Sequence, residues 1–250
     1  MNLKYYKNKR VLITGASGFI GSHLAKALKG KTKKLILWDR SKDIRFFDYW
    51  NKVVKKTDII FHLAGRVNQR ESTKSPITDL ELNLLPIVNL ISVCQEKEVF
   101  PDIIFAGTDT EEDSNATPYE INKLAAEKYL KYYATYTKGR AVTLRLGNVY
   151  GEGGKGIFNL MLEKKEKGEV FPLYGGGNYM RNWIDINDVV DNFLVAAIAI
   201  KDFSEKDFLI NDDFIRCCTI KHMATVMGVK TKVVPFPKDY LLIEKRGEIK

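Results

Sequence analysis

The stretch Arg10–Gly21, R-V-L-I-T-G-A-S-G-F-I-G, constrains the fold more than any other part of the chain. Val11, Leu12 and Ile13 make a short apolar, largely β-branched run, the pattern of a strand buried on both faces. The run breaks at Gly15, and beyond Gly21 the sequence His23-Leu24-Ala25-Lys26-Ala27-Leu28 takes a helical period. A strand that turns through glycines into a helix is a phosphate-binding device, because the helix start offers unpaired N–H groups and the positive end of its dipole. Gly15 permits the tight turn, Gly18 lets a pyrophosphate approach the backbone, and Gly21 lets the helix pack close to the strand. Ser17, Phe19 and Ile20 lie between these glycines and are candidate contacts of the same ligand.

At 250 residues the chain can be one α/β domain, or one domain with a small appendage, and can bury a sizeable core. A composition 45% hydrophobic and 28% charged is that of an ordinary globular protein. The net charge of +9 invites a polyanion reading. The lysines are spread along the chain, however, and the clusters Lys29–Lys34 and Lys164–Lys167 fall at a turn and on a mixed-charge helix. We read the basicity as solvated surface with some focusing toward an anionic ligand, and expect no nucleic-acid partner. Three cysteines, Cys94, Cys217 and Cys218, have neither metal spacing nor a disulfide framework, which fits a reducing cytoplasm and no metal. The basic start is followed by a strand and a glycine loop, so no signal peptide is expected. Val189–Ile200 is interrupted by Asp191 and Asn192, and no apolar stretch is read as long enough to span a membrane.

Further motifs follow in order. Lys34–Asp39, K-L-I-L-W-D, reads as a second strand ending in an acid where a carboxylate meets the ribose hydroxyls of NAD; Arg40 next to it could instead meet a 2′-phosphate. Phe46–Lys56 has helical spacing. Asp58-Ile59-Ile60-Phe61-His62-Leu63-Ala64-Gly65 is another buried strand, in which His62 is read as a packed core histidine rather than a catalytic one. Asn83 precedes a helix at Leu84–Glu96. Ile103–Thr110 is a strand, and Pro118-Tyr119-Glu120-Ile121-Asn122-Lys123 opens a helix to about Tyr136 that carries Tyr119 and Lys123 four apart on one face. After the strand Ala141–Leu146 come Arg145-Leu146-Gly147-Asn148-Val149-Tyr150-Gly151 and Arg181-Asn182-Trp183-Ile184-Asp185-Ile186-Asn187-Asp188, then a helix at Val189–Ala199.

These motifs, in this order over about residues 10–235, resemble the extended short-chain dehydrogenase/reductase superfamily and its NAD-dependent epimerase/dehydratase branch, whose members mostly rework nucleotide sugars. The resemblance implies an α/β fold, a Rossmann-type doubly wound parallel sheet, over residues 1–150, with a small substrate-binding α/β subdomain over 151–250. It implies NAD, with NADP open, held by the glycine turn, Asp39 or Arg40, Asp43 and Ile44, Leu63-Ala64-Gly65, Tyr119 and Lys123. Thr108, Tyr119 and Lys123 would be catalytic, with Asn83 either bracing the site or lying on the surface. Thr108, Asp109, Asn148 and Arg181 would hold the nucleotide sugar. The segment between the second and third strands is trimmed, the loop before Tyr119 is short, and Asn182 stands where relatives carry Asp.

The chemistry needs Tyr119 to take a proton from a sugar hydroxyl as hydride leaves the carbon. A free phenol titrates near ~10, and Lys123, along with the positive nicotinamide, is expected to lower that value. Relatives that dehydrate use an Asp-Glu pair after the Thr; here the order is Thr108-Asp109-Thr110, so dehydration is a minority reading. A 4-epimerase is read first and a 4-keto-deoxysugar reductase using NADPH second, with a catalytically silent NAD(P) sensor as a third class. The apolar breadth of the helices over 84–96 and 124–136 predicts a homodimer, with Leu130 or Tyr133 in its interface.

Overall fold

The computed structural model describes residues 3–109, 116–202, 209–211 and 216–236. Its elements run β1 (Arg10–Thr14), α1 (Phe19–Leu28), β2 (Lys34–Trp38), α2 (Phe47–Val53), β3 (Ile59–His62), α3 (Gln69–Lys74), α4 (Pro76–Asn83), α5 (Leu85–Lys97), β4 (Asp102–Thr108), α6 (Pro118–Tyr136) and β5 (Ala141–Leu146). They continue as β6 (Asn148–Tyr150), α7 (Ile157–Glu166), β7 (Phe171–Tyr174), β8 (Met180–Asp185), α8 (Ile186–Ala199), β9 (Leu209–Asn211), β10 (Arg216–Thr219), α9 (Ile220–Val226) and β11 (Thr231–Val234). Thr110, the expected end of the fourth strand, lies outside the described residues.

One sheet has the order β2-β1-β3-β4-β5-β9, with all neighbours parallel. The chain winds outward from β1 to β2 and then crosses back to β3, so the winding reverses between β1 and β3, the place where such sheets bind ligands. This is the Rossmann-type arrangement. Val11–Thr14 and the whole of β3 are buried, as strands between two helical layers must be. The trimmed second-to-third segment appears as a sheet that ends at β2, where Leu37 is exposed. The expected helix over Phe46–Lys56 is α2 followed by a 3-10 turn, Val54–Lys56. Helix α6 keeps its expected limits because its start is strongly specified. Thr117 and Glu120 form a reciprocal capping box, and Pro118 occupies the first turn.

The chain divides into two units, residues 1–146 with 187–212, and 147–186 with 213–250. A single cut at residue 150 therefore does not describe it. Helix α8, expected in the second part, packs in the first: Phe193 lies 6.2 Å from Phe61 of β3, and the Leu194 carbonyl accepts from the Tyr6 hydroxyl at 2.7 Å. An apolar stripe says that a helix will be buried, not against which sheet. In the second unit β8 pairs with β6 and β10, β7 pairs with β11, and Trp183, Phe171 and Tyr179 anchor a separate core.

Two expectations are corrected. The helical stretch Pro76–Lys97 runs 22 residues and holds an 18-residue window of mean hydropathy 1.5, long and apolar enough by composition to cross a membrane. Here its second part, α5, packs against α2 and α6, with Ile87, Leu90 and Ile91 in the core. Leu130 and Tyr133 are wholly buried within the chain, and the Tyr133 hydroxyl donates to the Pro101 carbonyl at 2.8 Å, so neither is open to a second copy. The tyrosines that α6 exposes are Tyr129, Tyr132 and Tyr136.

Candidate active site

The glycine turn sits at the reversal point of the sheet. Gly15 has φ +68°, and a Cβ there would meet the Ala64 nitrogen at 2.8 Å, so the end of β1 lies directly against Leu63-Ala64 at the end of β3. A Cβ at Gly21 would meet the Gly15 carbonyl oxygen at 2.1 Å, which no L side chain could tolerate. Gly18 is the N-cap of α1, and it and Ser17 are exposed while Phe19 and Ile20 are half-buried. Thr14 immediately precedes the glycines of the motif. Its hydroxyl accepts from the Leu63 and Ala64 N–H groups at 3.2 and 3.1 Å and lies 3.0 Å from His62 Nδ1. An oxygen already accepting twice donates its own hydrogen, which makes Nδ1 the acceptor and locks β1 to β3.

The other expected cofactor contacts divide by environment. Asp39 and Arg40 are exposed at the end of β2, and hydrogen bonds from the Ser41 hydroxyl and from the Ser41 N–H, the latter at 2.9 Å, hold the Asp39 carboxyl below the usual range. Asp43 is paired with Arg45 at 2.6 Å, and Arg45 reaches on to Glu81. Ile44 is turned into the core, and its carbonyl accepts from Trp50 Nε1 at 2.8 Å. A Cβ at Gly65 would meet Asn83 Oδ1 at 2.6 Å. Asn83 is buried and brackets Arg66, accepting from its N–H and donating to its carbonyl, each at 3.0 Å.

Thr108, Tyr119 and Lys123 are all buried. Thr108 ends β4, and its side chain is hydrogen-bonded to the Tyr119 phenol. Ser72 of α3 seats the start of α6 by accepting from the Tyr119 N–H at 3.2 Å. The Lys123 ammonium stands 4.1 Å from the centroid of Phe105, whose other contacts include the stacked imidazole of His62. Burial pulls Lys123 down to about 7, partly opposed by Asp79. Burial pushes Tyr119 up to about 12, reinforced by Asp79, Asp109 and Glu120 and opposed by the Thr108 hydrogen bond. In the free protein, desolvation and carboxylates therefore dominate the phenol's value. His62 is driven to about 3 by burial and by the charge of Lys123, and its Nε2 finds no hydrogen-bond partner among the described residues.

Sequence reasoning missed Asp79 and Asn122. Asp79 is wholly buried on α4, and its two oxygens accept from Asn122 at 2.9 Å and Asn83 at 3.0 Å. The available signals were Asp79 and Asn83 four apart on one helix, and Asn122 between Tyr119 and Lys123. In the second unit, Asn148 of β6 stands opposite Trp183 of β8, two residues from Arg181, and both Asn148 and Arg181 are half-buried. The Arg181 guanidinium donates to the Met180 carbonyl at 2.9 Å and lies 6.0 Å from the Tyr179 ring.

The fold is that of the Rossmann class, with its glycine turn at the reversal point of the sheet. The model of the NAD dependent epimerase/dehydratase family matches residues 11–210, and the chain belongs to that family of enzymes. It is similar to the UDP-glucose 4-epimerase of Mycolicibacterium smegmatis, 27% identical over 228 residues that cover 75% of this chain and 73% of that one. It is equally similar to the dTDP-4-dehydro-6-deoxyglucose reductase of Escherichia coli, 27% identical over 226 residues, covering 74% and 72%. Among solved structures, UDP-glucose 4-epimerase from Thermus thermophilus, in complex with NAD, superposes with a TM-score of 0.74 at 24% identity over 90% of this chain and 86% of that one.

Proposed function

We propose that the protein is a nucleoside-diphosphate-sugar 4-epimerase that acts through a 4-keto sugar with NAD retained on the enzyme. The observation that carries this reading is the Thr108–Tyr119 hydrogen bond with Lys123 one helical turn further on, all buried at the C-terminal end of β4. The glycine cradle fits a dinucleotide: Gly15 and Gly21 leave no room for a Cβ, and α1 starts at the exposed Gly18. NAD, when bound, supplies the hydride acceptor and returns the hydride, and its cationic ring favours the phenolate. Thr108 orients the sugar hydroxyl, Tyr119 takes its proton as the C4 hydride leaves, and the same phenol returns the proton when the ketone is reduced from its other face. Lys123 offers its ammonium to the nicotinamide ribose hydroxyls, and the resemblance assigns the substrate's diphosphate to Asn148 and Arg181. The free thiols of Cys94, Cys217 and Cys218 fit a reducing compartment, the cytoplasm.

The 27% identity to a reductase supports one second reading, reduction of a 4-keto deoxysugar with NADPH. Denaturing the purified protein and identifying the released nucleotide separates the two. Released NAD⁺, together with interconversion of UDP-glucose and UDP-galactose, supports the epimerase; an empty site that binds NADPH tightly supports the reductase.

Cofactor choice follows from the end of β2. If Asp39 accepts the adenosine ribose hydroxyls, Asp39→Ala weakens NAD by about 10–100-fold, the loss of charge-assisted hydrogen bonds, and spares NADP. Arg40→Ala then leaves NAD unchanged. Calorimetric titration of both cofactors checks this, and selective loss of NADP in Arg40→Ala would reverse the assignment.

A homodimer is proposed through the exposed face of α6 that carries Tyr129, Tyr132 and Tyr136. Light scattering at micromolar concentration is expected to give twice the chain mass of 28.6 kDa, and Tyr132→Glu with Tyr136→Glu to return it to one. A single-chain mass for the wild type overturns the proposal.

A further inference from the structure

Lys123 and Asp79 present the same physical problem from opposite sides. Lysine and aspartate are almost never fully buried unless paired. Lys123 is buried on α6 with its ammonium over an aromatic ring, and among the described residues no carboxylate is in direct contact with it. Asp79 is buried on α4, which packs against α6, and both its oxygens are taken by neutral amides rather than by a cation. Each amide is itself fixed. Asn83 is bracketed by the backbone of Arg66. Asn122 is one residue from Lys123 and three from Tyr119, on the buried side of α6. The carboxylate is therefore held against the helical face that carries the Tyr119–Lys123 pair.

We propose that Asp79 is a positioning residue for this pair: its negative charge, locked in place by Asn83 and Asn122, favours the ammonium form of Lys123 at a buried position. The other charged and titratable groups nearby have different attachments. Glu120 is occupied by the Thr117 N–H and hydroxyl at 2.6 and 2.8 Å and by Gln69 of α3 at 3.2 Å. Glu71 of α3 pairs with Arg66. Asp109 stands at the end of β4 and acts on Tyr119, while His62 of β3 is neutral. Asp79 acts on both members of the pair, raising the value of Lys123 against burial and adding to that of Tyr119. It thus helps hold the resting site as phenol plus ammonium. The inference rests on Tyr119 and Lys123 being the catalytic pair, but the charge coupling itself can be tested without substrate or cofactor.

The first measurement is an NMR titration of the full chain labelled with 13C at the lysine ε-carbon, with the Lys123 signal identified by its loss in Lys123→Met. The wild-type midpoint is expected near about 7, and in Asp79→Asn it should fall by about one pH unit or more, the effect of removing a nearby opposite charge. The second is a double-mutant cycle in thermal stability with Asp79→Asn and Lys123→Met. At pH 6, Asp79→Asn should lower Tm at least about twice as much in the wild type as in Lys123→Met. At pH 9, where Lys123 is neutral, the two losses should converge. If Asp79→Asn does not fold, recovery of folding in Asp79→Asn/Lys123→Met supports the proposal. An unmoved midpoint, additive losses at pH 6, or failure of the double variant to fold where Lys123→Met does so overturns it.

Discussion

Tyr119→Phe is expected to lower turnover by ~10²–10⁴, the usual effect of removing a general acid–base, while NAD affinity stays nearly unchanged. The ring is buried at the start of α6, and phenylalanine keeps its packing, so the variant loses only the hydroxyl and the Thr108 hydrogen bond. The pattern separates roles on one helix. Lys123→Met should reduce both turnover and NAD binding, because in the proposed mechanism the same ammonium serves the pair and the ribose. The Tyr119 hydroxyl should affect kcat almost alone, since its bond to the reacting oxygen strengthens only as the proton moves. The check is the interconversion of UDP-glucose and UDP-galactose followed by chromatography, beside calorimetric titration with NAD. Turnover equal to the wild type would remove Tyr119 from the chemistry.

What the sequence made legible was local. The β1–glycine–α1 unit, the buried run of β3 and the limits of α6 are each specified by residues within a dozen positions of one another. The candidate triad was readable for the same reason, since Tyr119 and Lys123 share one turn and Thr108 ends the strand just before. The residues that tune it were not. Asp79 and Asn83 on a short helix look like an ordinary solvated face until α6 covers them, and nothing near residue 79 announces Asn122. Long-range packing also decided the misplacements. Helix α8 joined the first sheet through Phe61 and Tyr6, and Tyr133 was drawn inward by a carbonyl more than 30 residues away. Broad apolar content on α6 served the chain's own core, leaving Ile121 and three tyrosines outside. The protonation of Lys123 and Tyr119 was hidden for the same reason. Spacing places two groups side by side, but their protonation depends on burial and on carboxylates from other elements.

The histidine beside this pair is expected to make stability fall in acid. His62 is packed between Trp50 and Phe105, with Nδ1 tied to Thr14 and Nε2 in apolar surroundings. Its folded value of about 3 lies well below the 6.5 of the unfolded chain. Between those values the unfolded state binds a proton that the folded state refuses, so stability falls as pH drops below about 6.5 and levels off near 3. The expected slope from this one group is about 1.4 kcal/mol per pH unit. Asp43 and Asp58, held low by Arg45 and Arg10, add their own loss at lower pH. They do so equally in a variant that leaves them untouched. His62→Asn removes the titrating ring while keeping an acceptor for the Thr14 hydroxyl. It will cost baseline stability through lost contact with Trp50 and Phe105, but its acid limb should be flatter. Urea-unfolding free energies at pH 7, 6, 5 and 4 should show the wild type losing roughly 3 kcal/mol more than His62→Asn by pH 4. Parallel curves would mean that the imidazole accepts its proton in the folded protein, at a point where the charge of Lys123 already opposes a second cation.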